Sequence, residues 1–201
     1  MKVNEIFYSL QGEGRYTGTA AVFLRLSGCN ARCPFCDTDH QSGKQMTERE
    51  ILQTISHYPT RHIVITGGEP TMQLTASFTQ MLHESGYFIQ IETNGSLPLP
   101  EGCEIDWITC SPKDLPIKIQ HIDEVKVLFD IADKDNTERI GRYGNIKAKE
   151  YRLQPLDASM TLEGDALAEQ NKRNLEATIQ FILDNPKWKL SLQTHKIINV
   201  R

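Results

Sequence analysis

A chain of 201 residues with 39% hydrophobic and 24% charged residues is long enough to bury a core and too mixed to be disordered or fibrous. The formal net charge of −4 argues against a broad nucleic-acid surface, and no apolar run approaches the roughly 18 residues of a membrane span. The opening Met1-Lys2-Val3-Asn4-Glu5 turns polar too early for a secretory leader, so a cytoplasmic protein is expected.

Apolar, β-rich stretches then alternate with helical ones. Ala20–Ser27 reads as a strand, and Thr47–His57 as a helix opened by a Thr47/Glu50 capping box. His62–Thr66 is a short strand running into Gly67 and Gly68, and Thr71–Ser85 reads as a helix. Tyr87–Glu92, Ile105–Thr109, Glu124–Phe129 and Tyr151–Leu153 are further strand candidates. The clearest helix spans Gly164–Asp184, where Leu167, Leu175, Ile179, Ile182 and Leu183 recur near helical spacing and Pro186 stops the run. Lys189–Gln193 closes the pattern as a strand, whereas Ala132–Lys149 carries no assignable motif. Alternation of this kind implies a parallel sheet with crossover helices. The length is short for eight βα units, so the expected fold is α/β, a partial TIM-type βα barrel of about six parallel strands. It is expected to form one domain over 1–201.

Five cysteines is an odd number, and Cys29, Cys33 and Cys36 fall close together as C-x3-C-x2-C. A secreted disulfide scaffold would use an even, spread set. Thiolates are the ligands of iron–sulfur clusters, and three of them on one short loop hold three irons of a cubane while leaving the fourth open to a small molecule. Zinc is the alternative, with His40, Cys103 or Cys110 as a fourth ligand. Cys103 and Cys110 otherwise lack chelating spacing and read as ordinary small residues. Gly67-Gly68-Glu69-Pro70 follows the next strand, where two glycines let a ligand approach the backbone closely.

With both motifs in place, the chain resembles the radical S-adenosylmethionine superfamily. That resemblance implies a [4Fe-4S] cluster on Cys29, Cys33 and Cys36, whose open iron takes the amino and carboxylate groups of S-adenosyl-L-methionine, with Gly68 near the methionyl amine. It also implies reductive cleavage to a 5′-deoxyadenosyl radical that abstracts a substrate hydrogen. More narrowly, SLQGEG (9–14), FLRLSGCN (23–30), CDTDH (36–40), GGEP (67–70), ETNG (92–95), SPK (111–113), LQPL (153–156) and LQTHK (192–196) are similar to the 7-carboxy-7-deazaguanine synthase family over Glu5–Lys196.

This narrower resemblance implies the conversion of 6-carboxy-5,6,7,8-tetrahydropterin to 7-carboxy-7-deazaguanine with loss of ammonia, in queuosine and 7-deazapurine biosynthesis. It further implies Mg2+, a flavodoxin-like or other one-electron reductant, and a homodimer, with neither nucleic acid nor membrane as partner. Leu10, Gln11, Gly12 and Thr66 are expected at the pterin, with Glu13 nearby, and Arg25 at its carboxylate, since a planar guanidinium can bond both oxygens. Thr38 is expected on Mg2+. Phe35, Asp37, Ser111, Pro112, Lys113, Gln154, Pro155, Leu156 and Asp157 are expected at S-adenosylmethionine. Thr93 and Asn94 would line the same strand ends, and His195 either closes the substrate site or is structural. Two alternatives share parts of this pattern: a glycyl-radical activating enzyme has the cysteines and GGEP but no reason for SLQGEG or CDT, and a zinc-binding interaction module has only the cysteines.

Overall fold

The computed structural model describes residues 1–36, 38, 39 and 41–201. Its strands are β1 (Lys2–Leu10), β2 (Ala20–Leu26), β3 (Lys44–Gln45), β4 (His62–Gly67), β5 (Phe88–Thr93), β6 (Trp107–Cys110), β7 (Glu124–Phe129), β8 (Glu150–Pro155) and β9 (Lys189–Leu190). The helices are α1 (Glu48–Ile55), α2 (Ala76–Glu84), α3 (Asn136–Gly144), α4 (Gly164–Asp184) and α5 (Thr194–Ile197). All strands join one sheet in the order β3-β1-β2-β4-β5-β6-β7-β8-β9. From β2 onward every pairing is parallel, while β1 runs antiparallel to both β2 and β3. The result is the expected incomplete barrel, with an antiparallel extension on one side.

Period-two alternation splits each strand between two environments. On β4 and β5, Ile63, Ile65, Ile89 and Ile91 are fully buried in the main core cluster, which also holds Ile51 and Ile55 of α1 and Phe78 and Leu82 of α2. The intervening positions face the barrel interior, where Phe7, Ala21, Phe23 and Val64 form a second, smaller apolar cluster. Phe7 and Phe23 stack with ring centroids 4.8 Å apart.

Several elements depart from the sequence reading. Strand β1 is absent from it because Lys2, Asn4 and Glu5 break the apolar pattern; pairing with β2 and β3, not composition, makes this segment a strand. The Thr71–Ser85 helix starts later, at Ala76, because Thr75 Oγ1 accepts from the Phe78 amide as an N-cap, and Pro70–Met72 forms a separate 3-10 turn. The motif-less stretch contains α3, and the closing strand is reduced to Lys189–Leu190. Helix α4 spans Gly164–Asp184 as expected; Ile182 of its apolar run packs against the core with Ala177 and Phe181, while Ile179 and Leu183 are exposed. Its fully buried residues are Asn174 and Thr178. Asn174 accepts from the Ile131 amide (3.1 Å) and donates to the Leu156 carbonyl (2.9 Å), so hydrogen bonds to the loops after β7 and β8 add to the apolar packing of Phe181 and Ile182. Among the described residues, no helix is long and apolar enough to cross a membrane.

Candidate active site

A cavity of about 320 Å³ opens where the parallel strands end, within the size range of small-molecule sites. Its wall contains Cys29, Cys33 and Cys36 of the loop after β2, with Phe35 and Thr38 beside them. The loop is held from behind. The Glu69 amide donates to the Gly28 carbonyl (2.8 Å), and Asn30 bonds Ser96 Oγ (2.8 Å) and Asn94 Nδ2 (3.0 Å). Glu69 itself is fully buried and knots two motifs together. Its Oε1 accepts from Thr71 and Thr93 and its Oε2 from the Asn94 amide. A Cβ on Gly68 would lie 1.8 Å from the Gly28 carbonyl oxygen, so only glycine lets the strand end meet the cysteine loop.

All five cysteines are free thiols. Burial pushes the Cys29 and Cys33 thiols up from their ordinary range, and each is raised further by the neighbouring cysteines. A bound cation would reverse that preference by stabilising the thiolates. Three soft sulfur donors facing one cavity beside a backbone cradle fit an iron–sulfur cluster with one iron accessible. The zinc alternative draws on the same three thiols and needs a fourth ligand. Its proposed fourth ligand, His40, lies outside the described residues, as does Asp37. Cys110 is buried, its thiol pushed up to about 12 by desolvation, and Cys103 packs at the core edge.

The remaining expected residues largely converge on the same cavity. Leu10, Gln11, Gly12, Glu13, Arg25, Thr66, Gly68, Thr93, Asn94, Ser111, Lys113, Gln154, Leu156, Asp157 and His195 all line it, whereas Pro112 and Pro155 do not. Lys113 Nζ sits 5.2 Å from the Phe35 ring centroid. Asp157 is raised by burial, but bonds from Lys196, Asn171 and the Ser159 amide outweigh this and hold it down to about 2. Gln154 turns toward the interior, donating to Glu13 Oε1 at 3.1 Å. The C-terminal segment folds across the mouth. Thr194 bonds the Gly12 carbonyl through both its amide and its hydroxyl (2.9 Å each), and His195 packs so closely that a Cβ on Gly12 would lie 2.0 Å from its Nδ1.

Two charge clusters line the cavity. In the inner one, Lys126 Nζ lies 2.5 Å from Glu13 Oε2 and 2.9 Å from Glu92 Oε2, with all three side chains largely buried. Burial raises Glu13, but the Lys126 ammonium prevails and holds it down to about 2. Burial pushes Glu92 up to about 7; Lys126 opposes this, while Glu124 and Glu13 reinforce it. In the outer cluster, Arg25 Nε donates to Glu5 Oε1 (2.8 Å) and Arg25 Nη1 to Thr38 Oγ1 (3.0 Å). Glu92 and Lys126 have no site role in the sequence reading. The available signal was a charged residue alternating with apolar ones in the strands FIQIET and EVKVLF.

Comparison with known proteins agrees with this geometry. The family model described as the radical SAM superfamily matches residues 24–144. The 7-carboxy-7-deazaguanine synthase of Bacteroides thetaiotaomicron is 45% identical over 201 residues, covering 100% of this chain and 98% of that protein. The enzyme of the same name from Bordetella pertussis is 38% identical, covering 98% of each chain. The crystal structure of QueE from Escherichia coli superposes with a TM-score of 0.74 at 26% identity, covering 95% of this chain and 92% of that one. With the cysteine loop, the Gly68 cradle and near-complete coverage in agreement, this chain belongs to the radical SAM superfamily and, within it, to the 7-carboxy-7-deazaguanine synthase family.

Proposed function

We propose that the chain is a radical S-adenosylmethionine lyase that converts 6-carboxy-5,6,7,8-tetrahydropterin to 7-carboxy-7-deazaguanine and ammonia. The observation that carries this reading is a single cavity uniting three cluster-loop thiols, an inner carboxylate–ammonium cluster and an outer guanidinium. Cys29, Cys33 and Cys36 would hold the [4Fe-4S] cluster, and Gly68, Ser111, Lys113, Leu156 and Asp157 would face S-adenosylmethionine. The chemistry such a cluster supplies with that cofactor is reductive generation of a 5′-deoxyadenosyl radical able to abstract a substrate hydrogen.

The protein's own residues bind and orient the pterin. Its aminopyrimidine edge presents N–H donors beside an oxo acceptor, matching Glu13 and Glu92 with Lys126 between them. Its carboxylate, at the far end, matches Arg25. Leu10, Gln11, Gly12 and Thr66 complete the walls, and the segment from Thr194 closes over Gly12 and limits water access. Thr38 offers a hydroxyl oxygen to Mg2+ next to that carboxylate, in keeping with the ion's preference for oxygen ligands.

The reaction involves no net change of oxidation state, but the departing ring nitrogen must gain a proton to leave as ammonia. Glu92, poised near neutrality, can hold that proton at its carboxyl group. A small one-electron donor such as a flavodoxin would act at the cluster-loop side, and the working form would be a homodimer.

The test is anaerobic reconstitution followed by incubation with reductant, S-adenosylmethionine, Mg2+ and the carboxytetrahydropterin. Stoichiometric 7-carboxy-7-deazaguanine and ammonia are expected. Release of 5′-deoxyadenosine without that product would overturn the assignment in favour of another radical enzyme.

A further inference from the structure

We propose that Arg201 is a second carboxylate-binding guanidinium, pairing with Arg25 to select a pterin that carries a carboxyl group. The inference rests on the reading above and extends it to a residue outside every motif in the sequence.

Glu5 is the hinge of the argument. Its Oε1 accepts from Arg25 Nε at 2.8 Å, and its Oε2 pairs with Arg201 Nη2. One carboxylate is thus shared by two guanidiniums. Both guanidiniums also pack on one ring: Arg201 Cζ lies 5.0 Å and Arg25 Cζ 5.9 Å from the Phe7 centroid. Phe7, Arg25 and Arg201 all line the cavity. The aromatic ring attracts both cations and removes part of each from water. The backbone is anchored as well, since Ser9 Oγ donates to the Arg201 carbonyl at 2.5 Å.

The bland alternative is that Arg201 merely forms a surface ion pair that pins the chain end. Its side chain is 67% exposed, and such a pair stabilises the fold by only ~0–1 kcal/mol. The two readings differ in what they do to ligands. A pinning role affects all pterins alike, whereas a carboxylate-binding role affects only those with a carboxyl group.

The experiment uses the full chain, anaerobically reconstituted, with 6-carboxypterin and pterin as fluorescent binding probes that differ only in the carboxylate. In Arg201→Gln, affinity for 6-carboxypterin is expected to fall about tenfold, the scale of one charge-assisted contact, while affinity for pterin changes less than about twofold. Arg201→Lys should recover part of the loss, because charge is kept and the fork is not. In turnover, KM for 6-carboxytetrahydropterin should rise with kcat nearly unchanged. Equal weakening of both probes would overturn the proposal in favour of pinning, and no weakening of either would reduce Arg201 to a surface pair. Failure of the activity reading is distinguishable: wild-type protein would then prefer 6-carboxypterin over pterin without forming product.

Discussion

Two three-membered charge clusters stand at the cavity, near mirror images in sign and opposites in environment. Inside, two carboxylates flank one ammonium: Glu13 and Glu92 about Lys126, at 18%, 16% and 7% side-chain exposure. At the mouth, two guanidiniums flank one carboxylate: Arg25 and Arg201 about Glu5, at 24%, 67% and 25%. Desolvation makes the inner cluster's internal interactions strong, and it is there that burial drives Glu92 up to about 7 while Glu13 is held down to about 2. Water screens the outer cluster, so its worth lies in what it attracts and less in what it stabilises. Together they give the cavity a polarity suited to a ligand with N–H donors at one end and a carboxylate at the other.

The contrast can be broken most forcefully at Lys126. Lys126→Met removes the cation between two buried carboxylates and should destabilise the protein by about 3–5 kcal/mol, the usual consequence of stranding a buried charge. Urea unfolding at neutral pH measures this, and a loss below about 1 kcal/mol would mean that the inner cluster is as well solvated as the outer.

A smaller effect is expected from Glu92→Gln, and it sharpens the chemical side of the comparison. Because burial raises the folded-state value of Glu92 to about 7 from an ordinary 4.5, its contribution to stability is fully present below 4.5 and is lost as pH rises through 7. The groups that set this titration are Lys126, Glu124 and Glu13. Unfolding free energy followed from pH 4.5 to 8 should show this decline in the wild type and not in the Gln variant. In the same variant, kcat should fall by roughly 10²-fold if Glu92 supplies the proton to departing ammonia, and the limb near neutrality in the pH–rate profile should vanish. Persistence of that limb would assign it to another group.

The smallest effect belongs to Glu5→Gln. Removing the shared carboxylate should alter stability by less than about 1 kcal/mol, as befits a solvated pair. It should also free both guanidiniums and strengthen binding of 6-carboxypterin a few-fold at low salt, an effect that added salt erases. Loss of affinity would show instead that Glu5 orients the guanidiniums more than it competes for them.

The parts of the site legible in the sequence are those in which chemistry is local. Cys29, Cys33 and Cys36 announce a cluster because three thiols must share one short loop. Gly68 is readable because close backbone approach needs glycine wherever it occurs. Strands β2 and β4 are equally plain, being apolar runs with turn residues at their ends. Strand β1 was not, since its Lys2, Asn4 and Glu5 become strand only through hydrogen bonds to β2 and β3. The buried face of α4 was only partly legible for a related reason. The helix turns Asn174 inward to meet the Ile131 amide and the Leu156 carbonyl and leaves Leu183 in solvent.

By itself, then, the sequence determined the alternating βα order, the cluster loop and the family of motifs around it, because each depends on side chains close together along the chain. Only the tertiary structure decided the charge clusters. Glu13, Glu92 and Lys126 come from the loop after β1, from β5 and from β7, and Glu5, Arg25 and Arg201 come from both ends of the chain and from β2. Their ionisation depends on burial and on neighbours supplied by other elements, quantities that do not exist until the sheet has curved and the chain end has closed over its mouth.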